Sequence, residues 1–137
     1  MSNGIRTVTI GLVLVLWTMS SQVWAKSAQD LEASCNSGYF EACLTLGMVY
    51  QKGQFKGVTA KKDKALAKKF IDRGVQMAED NCASASAKDC YYIGHMFFEG
   101  GMVPTDMPRG LRYLQKSCQY GYKKACDWLD NSGLPQR

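Results

Sequence analysis

Among its 137 residues the chain has a single histidine, His95, and no C-x-x-C. Zinc sites use closely spaced cysteine pairs or several histidines, so no metal set and no cofactor is expected. Without C-x-x-C there is no thioredoxin-type redox motif. S-x-x-K, S-D-N and K-T-G are all missing, and the nearest substitute, Thr59 with Lys62, sits in a charged loop. A serine β-lactamase needs a nucleophile beside a positioned base, so that mechanism has no residues to run on. G-x-S-x-G and H-E-x-x-H are also missing, and no catalytic residue is assigned. His95 has one potential orienting partner, Glu99, a helical turn on, and reads as a surface or partly packed side chain. Net charge is +5. It is scattered rather than gathered on the dense basic face that nucleic-acid binding requires.

No apolar run reaches the roughly 20 residues of a membrane-spanning helix. The run from Val8 to Trp17 follows the lone charge Arg6 and precedes Val23-Trp24-Ala25. That order matches a secretory signal peptide, residues 1–25, cleaved near Ala25. With no cysteine at the cut, lipid attachment there is not expected. Residues 26–137 then hold 16 Lys+Arg against 12 Asp+Glu, net +4. They form one small domain, periplasmic or secreted, with no stable membrane span and a monomer as the expected state.

What the chain does have is one spacing used three times. Cys35 to Cys43, Cys82 to Cys90 and Cys118 to Cys126 each enclose seven residues, and the three pairs use all six cysteines. Six cysteines in a small exported domain read as disulfides. Fifteen connectivities are open in principle; the repeat favours each unit closing its own pair. Shifting Cys82 by 36 gives Cys118, whereas Leu46-Gly47, Tyr50 and Gly53 return after 47 as Ile93-Gly94, Phe97 and Gly100. The period is therefore 36, with 11 extra residues in the first unit. Four fall in the loop after Gly53 and seven in the next segment. Seven residues are nearly two helical turns, so they lengthen a helix while keeping its face.

Apolar residues recur at three- and four-residue steps, the mark of buried helical stripes. Ala42, Cys43, Leu46, Gly47, Val49 and Tyr50 define one in a helix over 39–52. Ala65, Leu66, Phe70, Ile71, Val75 and Ala78 define another over 62–81. The second unit repeats the pair over 85–99 and 108–120, Pro108 suiting a first turn. Lone helices at 28–37 and 122–131 cap the ends. The expected organisation is all-α: an N-terminal cap at 28–37, repeat one at 38–81, repeat two at 82–117 and a C-terminal cap segment at 118–131. Gly47 and Gly94, mid-helix at equivalent places, signal close helix approach, since glycine there costs about 1 kcal/mol relative to alanine.

C-x7-C, then Leu/Ile-Gly, an aromatic, a glycine, a charged loop and a second helix with an aromatic resemble Sel1-like repeats. Ala42–Tyr50 and Gly110–Cys118 carry the match, and the disulfide-stapled spacing is similar to the Helicobacter cysteine-rich proteins. Departures are Gly110 where the family usually has alanine, the His95-Met96 pair, the 11-residue insertion, and only two full units. The resemblance implies a short right-handed α-solenoid of antiparallel helix pairs, similar to TPR arrays, and a role in contacts with a protein or peptide. Some cysteine-rich relatives are described as penicillin-binding or weakly β-lactamase-like. Binding or hydrolysis of a β-lactam or cell-wall peptide is therefore the alternative function.

In such solenoids the first helix of each pair usually lines the concave side. Opposite the buried stripes, aligned positions read Glu41, Lys88 and Lys124; Leu44, Tyr91 and Asp127; Thr45, Tyr92 and Trp128; Met48 and His95. These eleven residues form the candidate binding strip, because aromatics and methionine suit partner recognition. The lysines around Lys61-Lys62 and Lys68-Lys69 read as a solvated helix face.

Overall fold

In a computed structural model, residues 27–137 are described; the segment expected as a signal peptide, residues 1–25, and its expected cleavage point lie outside them. The first helix, α1 (Ala28–Asn36), opens on a reciprocal cap. The Ser27 hydroxyl accepts from Asp30 N at 3.1 Å, and the Asp30 carboxylate accepts from Ser27 N at 2.9 Å. Leu31 and Cys35, one turn apart, are its buried residues. α2 (Phe40–Lys52) ends at Gly53, whose φ of +84° supplies the left-handed stop.

The loop insertion that follows folds as a hairpin. β1 (Gln54–Phe55) pairs antiparallel with β2 (Val58–Thr59) across Lys56-Gly57. Both turn residues have positive φ, +48° and +81°, as a tight two-residue hairpin requires. Val58 is buried and anchors the hairpin in the core. α3 (Lys64–Ala83) is capped by Asp63, which accepts from Leu66 N at 2.9 Å. α4 (Ala87–Glu99) follows, then α5 (Met107–Gln119), capped by Asp106 with Pro108 in its first turn, and α6 (Lys123–Asn131).

Each expected helix lies within two residues of its observed span. α2 and α4 have 13 residues each, whereas α3 has 20 against 13 in α5. The seven extra residues are therefore helical and the remaining insertion is the hairpin, the one departure from an all-helical description. The segment expected as the C-terminal cap, 118–131, also holds the end of α5: Cys118 and Gln119 belong to that helix, and α6 begins at Lys123.

Each helix packs chiefly on its neighbours in the chain, as in a solenoid. All three expected disulfides are present: Cys35–Cys43, Cys82–Cys90 and Cys118–Cys126, with Cα separations of 4.7, 4.7 and 4.8 Å. The first sits in a cluster with Leu31, Leu46, Val49, Val58 and Phe70. The second sits in a cluster with Phe40, Leu44, Ala78, Ile93 and Phe97. The third is half-buried at the end of the stack.

The mid-helix glycines do bring backbones together. A Cβ on Gly94 would lie 2.9 Å from Leu114 N and 3.1 Å from the Gly110 carbonyl. One on Gly110 would lie 2.6 Å from Phe98 N. Gly47 faces the Ala67 carbonyl in the same way, at 3.1 Å. The α3 stripe needs one correction. Ala65 is exposed, and the residues that turn inward beside Phe70 and Ile71 are Ala67 and Gly74.

Candidate binding groove

The hairpin leans against the chain at the point where α2 meets α4. Between these elements lies a groove of about 310 Å³. Its apolar lining comes from Phe40, Leu44, Phe55, Met96 and Met102, with Tyr92 at one wall. Glu41, Thr45, Lys56, His95 and Glu99 add polar edges. A second groove, of about 540 Å³, shares Glu41, Thr45 and Lys56 with it and continues to Leu31 and Tyr39. One surface depression thus runs from α1 across α2 to α4.

At its α4 end the groove meets an aromatic nest. His95 is held by Glu99, Nδ1 to Oε1 at 2.9 Å, one turn along α4. Its ring lies 4.4 Å from the Tyr91 ring and 4.9 Å from the Trp128 ring, both edge-on. Trp128 also meets Phe98 at 5.0 Å, and Tyr91 meets Tyr122 at 5.2 Å. The Tyr91–Tyr122 pair is tilted; for the other three, edge-to-face geometry at these distances is favourable beyond area burial. His95 Nε2 is buried without a hydrogen-bond partner, which leaves a polar atom enclosed by rings. Burial pushes the Tyr91 phenol above its ordinary pKa, and the neighbouring Tyr122 and Glu99 add to this.

The candidate strip divides accordingly. Glu41, Thr45, Tyr92 and His95 line the same groove. Tyr91 and Trp128 flank it through His95. Lys88 lies over the Tyr92 ring, Nζ 5.6 Å from its centroid. Asp127 is tied to Lys123 at 2.7 Å, and Lys124 is exposed beside it. Leu44 and Met48 do not belong to an open surface, being only 7% and 6% exposed. α2 is enclosed on more than one side, so its outward face is narrower than its sequence pattern implies. Leu44 packs over Gly74 of α3 and joins the core around Ile93 and Phe97; it forms groove floor rather than rim.

Sequence reasoning missed Phe55 and Lys56, because the loop insertion was not read as a hairpin. The only local signal was the Lys56-Gly57 step between Phe55 and Val58. Phe98 and Tyr122 were missed because ring contacts between α4 and the start of α6 have no sequence periodicity.

Away from the groove, a polar cluster locks α3 to α5. Glu79 pairs with Arg109 and accepts from the Tyr113 hydroxyl at 2.7 Å. Arg109 also lies 4.1 Å from the centre of the Phe97 ring. Burial raises the Tyr113 pKa, with the Glu79 contact adding to it. Each member has a partner, and the cluster reads as a structural clamp.

Among proteins of curated function, none matches the sequence significantly. A crystal structure of a Sel1 repeat protein from Oxalobacter formigenes is similar, at 18% identity and a TM-score of 0.41, over 80% of this chain and 41% of that one. The chain thus spans about two-fifths of that protein's length. A family model for the Sel1 repeat matches residues 40–73 and 87–122, just over half of the chain. The first match covers α2 and the front half of α3, and the second covers α4 through the end of α5. With two such helix pairs at the spacing the cysteines mark, the chain belongs to the Sel1 repeat family.

Proposed function

We propose that this chain is an exported interaction module that receives a protein or peptide segment in the groove between α2, the hairpin and α4. One observation carries this reading: side chains from both repeats and from the insertion converge on one depression beside a ring nest. Aromatic walls around an apolar floor, with a few polar groups at the edge, are what recognition sites offer. Export is supported by three disulfides, which persist in oxidising compartments, and by the apolar segment before Ala25. No helix among the described residues is long and apolar enough to cross a membrane, which is compatible with a periplasmic or secreted monomer.

The test is photo-crosslinking in the native host with a benzophenone side chain at Thr45, inside the groove, and at Arg112, outside it. A product formed from Thr45, not from Arg112, and lost on Tyr92→Ala is the expected result. Equal products from both positions, or no effect of Tyr92→Ala, would refute the assignment. A β-lactam or cell-wall peptide is the alternative ligand. Turnover or saturable binding of a chromogenic β-lactam by the purified, oxidised protein would replace the peptide reading.

A further inference from the structure

The charge, expected above to be scattered, is in fact segregated along the chain. Seven lysines and a single acid, Asp63, lie between positions 52 and 69, a local charge of +6. Residues 26–137 total +4, so everything outside that segment sums to −2. The excess positive charge of the domain therefore belongs to 18 residues: the end of α2, the hairpin, and the start of α3.

The fold gathers these residues at one end of the first helix pair. Asp63 N donates to the Tyr50 carbonyl at 2.9 Å, and Ala60 N to the Gly53 carbonyl at 3.0 Å, which holds the linker against the end of α2. The Lys62 stem lies over Gly53. Lys52 and Lys56 lie on the same Phe55 ring, each Nζ 5.5 Å from its centroid. All seven lysines are exposed. Of these seven lysines only Lys68 has a carboxylate partner among the described residues, Asp72, while the Asp63 carboxylate is occupied as the α3 cap. The positive field is left uncompensated over distances comparable to the Debye length.

A second feature shares this end. A groove of about 450 Å³ has an apolar floor of Ala67, Ile71, Met102, Val103 and Pro104, with Gln51, Lys64, and Lys68 with its partner Asp72 at its edge. A soluble polyanion satisfies the lysines alone. An anionic bilayer satisfies both features, with headgroup phosphates for the ammonium groups and apolar chain for the groove. Lysine rather than arginine throughout fits a diffuse, many-point attraction better than forked recognition of a single phosphate.

We propose that the lysine-rich end, Lys52 to Lys69, docks the domain on an anionic lipid surface, with the groove behind Lys64 and Lys68 facing the lipid. The peptide groove, borne by α2, the hairpin and α4, is then held beside the membrane.

The test uses the oxidised domain and co-sedimentation with vesicles of phosphatidylcholine alone or mixed equally with phosphatidylglycerol. Binding is expected only to the mixed vesicles and should fall steeply with added NaCl. Two variants of equal net charge decide whether location matters. Lys61→Glu with Lys62→Glu should lower the partition coefficient at least about tenfold. Arg112→Glu with Arg137→Glu, elsewhere on the surface, should change it by less than about twofold if attraction is local. Circular dichroism and non-reducing mapping confirm that both variants fold. Equal loss in the two variants, binding to pure phosphatidylcholine, or no binding to the mixed vesicles would overturn the proposal. So would dextran sulfate displacing the protein fully from the vesicles at matched charge, because that identifies a soluble polyanion as the preferred partner.

Discussion

The two repeats solve the same packing problem with different residues. In the first, α2 presents Gly47 to Ala67 of α3, and Gly74 of α3 lies under Leu44 and the Phe40 carbonyl. In the second, α4 presents Gly94 to Gly110 of α5, glycine against glycine. Ser117 of α5 takes the place of Gly74, donating its hydroxyl to the Ala87 carbonyl at 2.6 Å. What persists is the close approach of the two backbones; how the remaining space is filled varies. The comparison also explains how the first repeat accepts 11 more residues. Seven enlarge α3 by whole turns, so its inward face is preserved, and the others leave the stack as a hairpin.

The largest test of this comparison lies in the staples. Cys82–Cys90 is fully buried, whereas Cys118–Cys126 is half-exposed at the end of the stack. Closing equal loops, both contribute about 2.5 kcal/mol on the chain-entropy model. Replacing the buried pair with alanines also leaves a cavity, so it should cost about 1 kcal/mol more than replacing the terminal pair. Chemical denaturation of the two double variants measures the difference. Under dithiothreitol the terminal bridge should open first, as alkylation mapping would show. Equal stabilities and simultaneous reduction would mean that the repeats do not differ in this way.

A smaller effect separates the glycines. An added methyl at Gly110 meets only backbone, at 2.6 to 2.9 Å, and backbone cannot rotate away. Gly110→Ala should therefore lose about 2 kcal/mol despite better helix propensity. At Gly47 the nearest obstacle is the Ile71 side chain, at 2.5 Å, with backbone no closer than 3.1 Å. Gly47→Ala should stay within about 1 kcal/mol of the parent. Thermal melts decide, and a reversed order would show that the second repeat is the more adaptable.

The smallest effect concerns Ser117, which is wholly buried. Ser117→Ala removes its bond to the first residue of α4 and should cost about 1 kcal/mol. Amide exchange should show the loss concentrated in the α4–α5 pair, with α2–α3 unaffected.

The groove was only partly legible beforehand. Glu41, Thr45, Tyr92 and His95 line one groove because aligned helix positions share a face by periodicity alone. Leu44 and Met48 share that periodicity but are buried, because the enclosure of α2 depends on which neighbours arrive around it. Phe55 and Lys56 entered the groove through a hairpin whose two-residue strands are too short to leave an alternating pattern. The exchange of Ala65 for Ala67 on the inner face of α3 is a small error of phase, fixed by the close approach of Gly47.

Sequence alone determined the number and order of the helices, the length of the insertion and its division between loop and helix, and the pairing of the cysteines. All of these follow from local spacing, because a helix keeps its period and a loop of seven residues keeps its ends close. Only the tertiary structure decided which apolar residues are floor and which are rim, the nest around His95 and Trp128, and the apolar groove that α3 and the loop before α5 form beside the lysine-rich segment. Those depend on distances between elements far apart in the chain, and no periodicity encodes them.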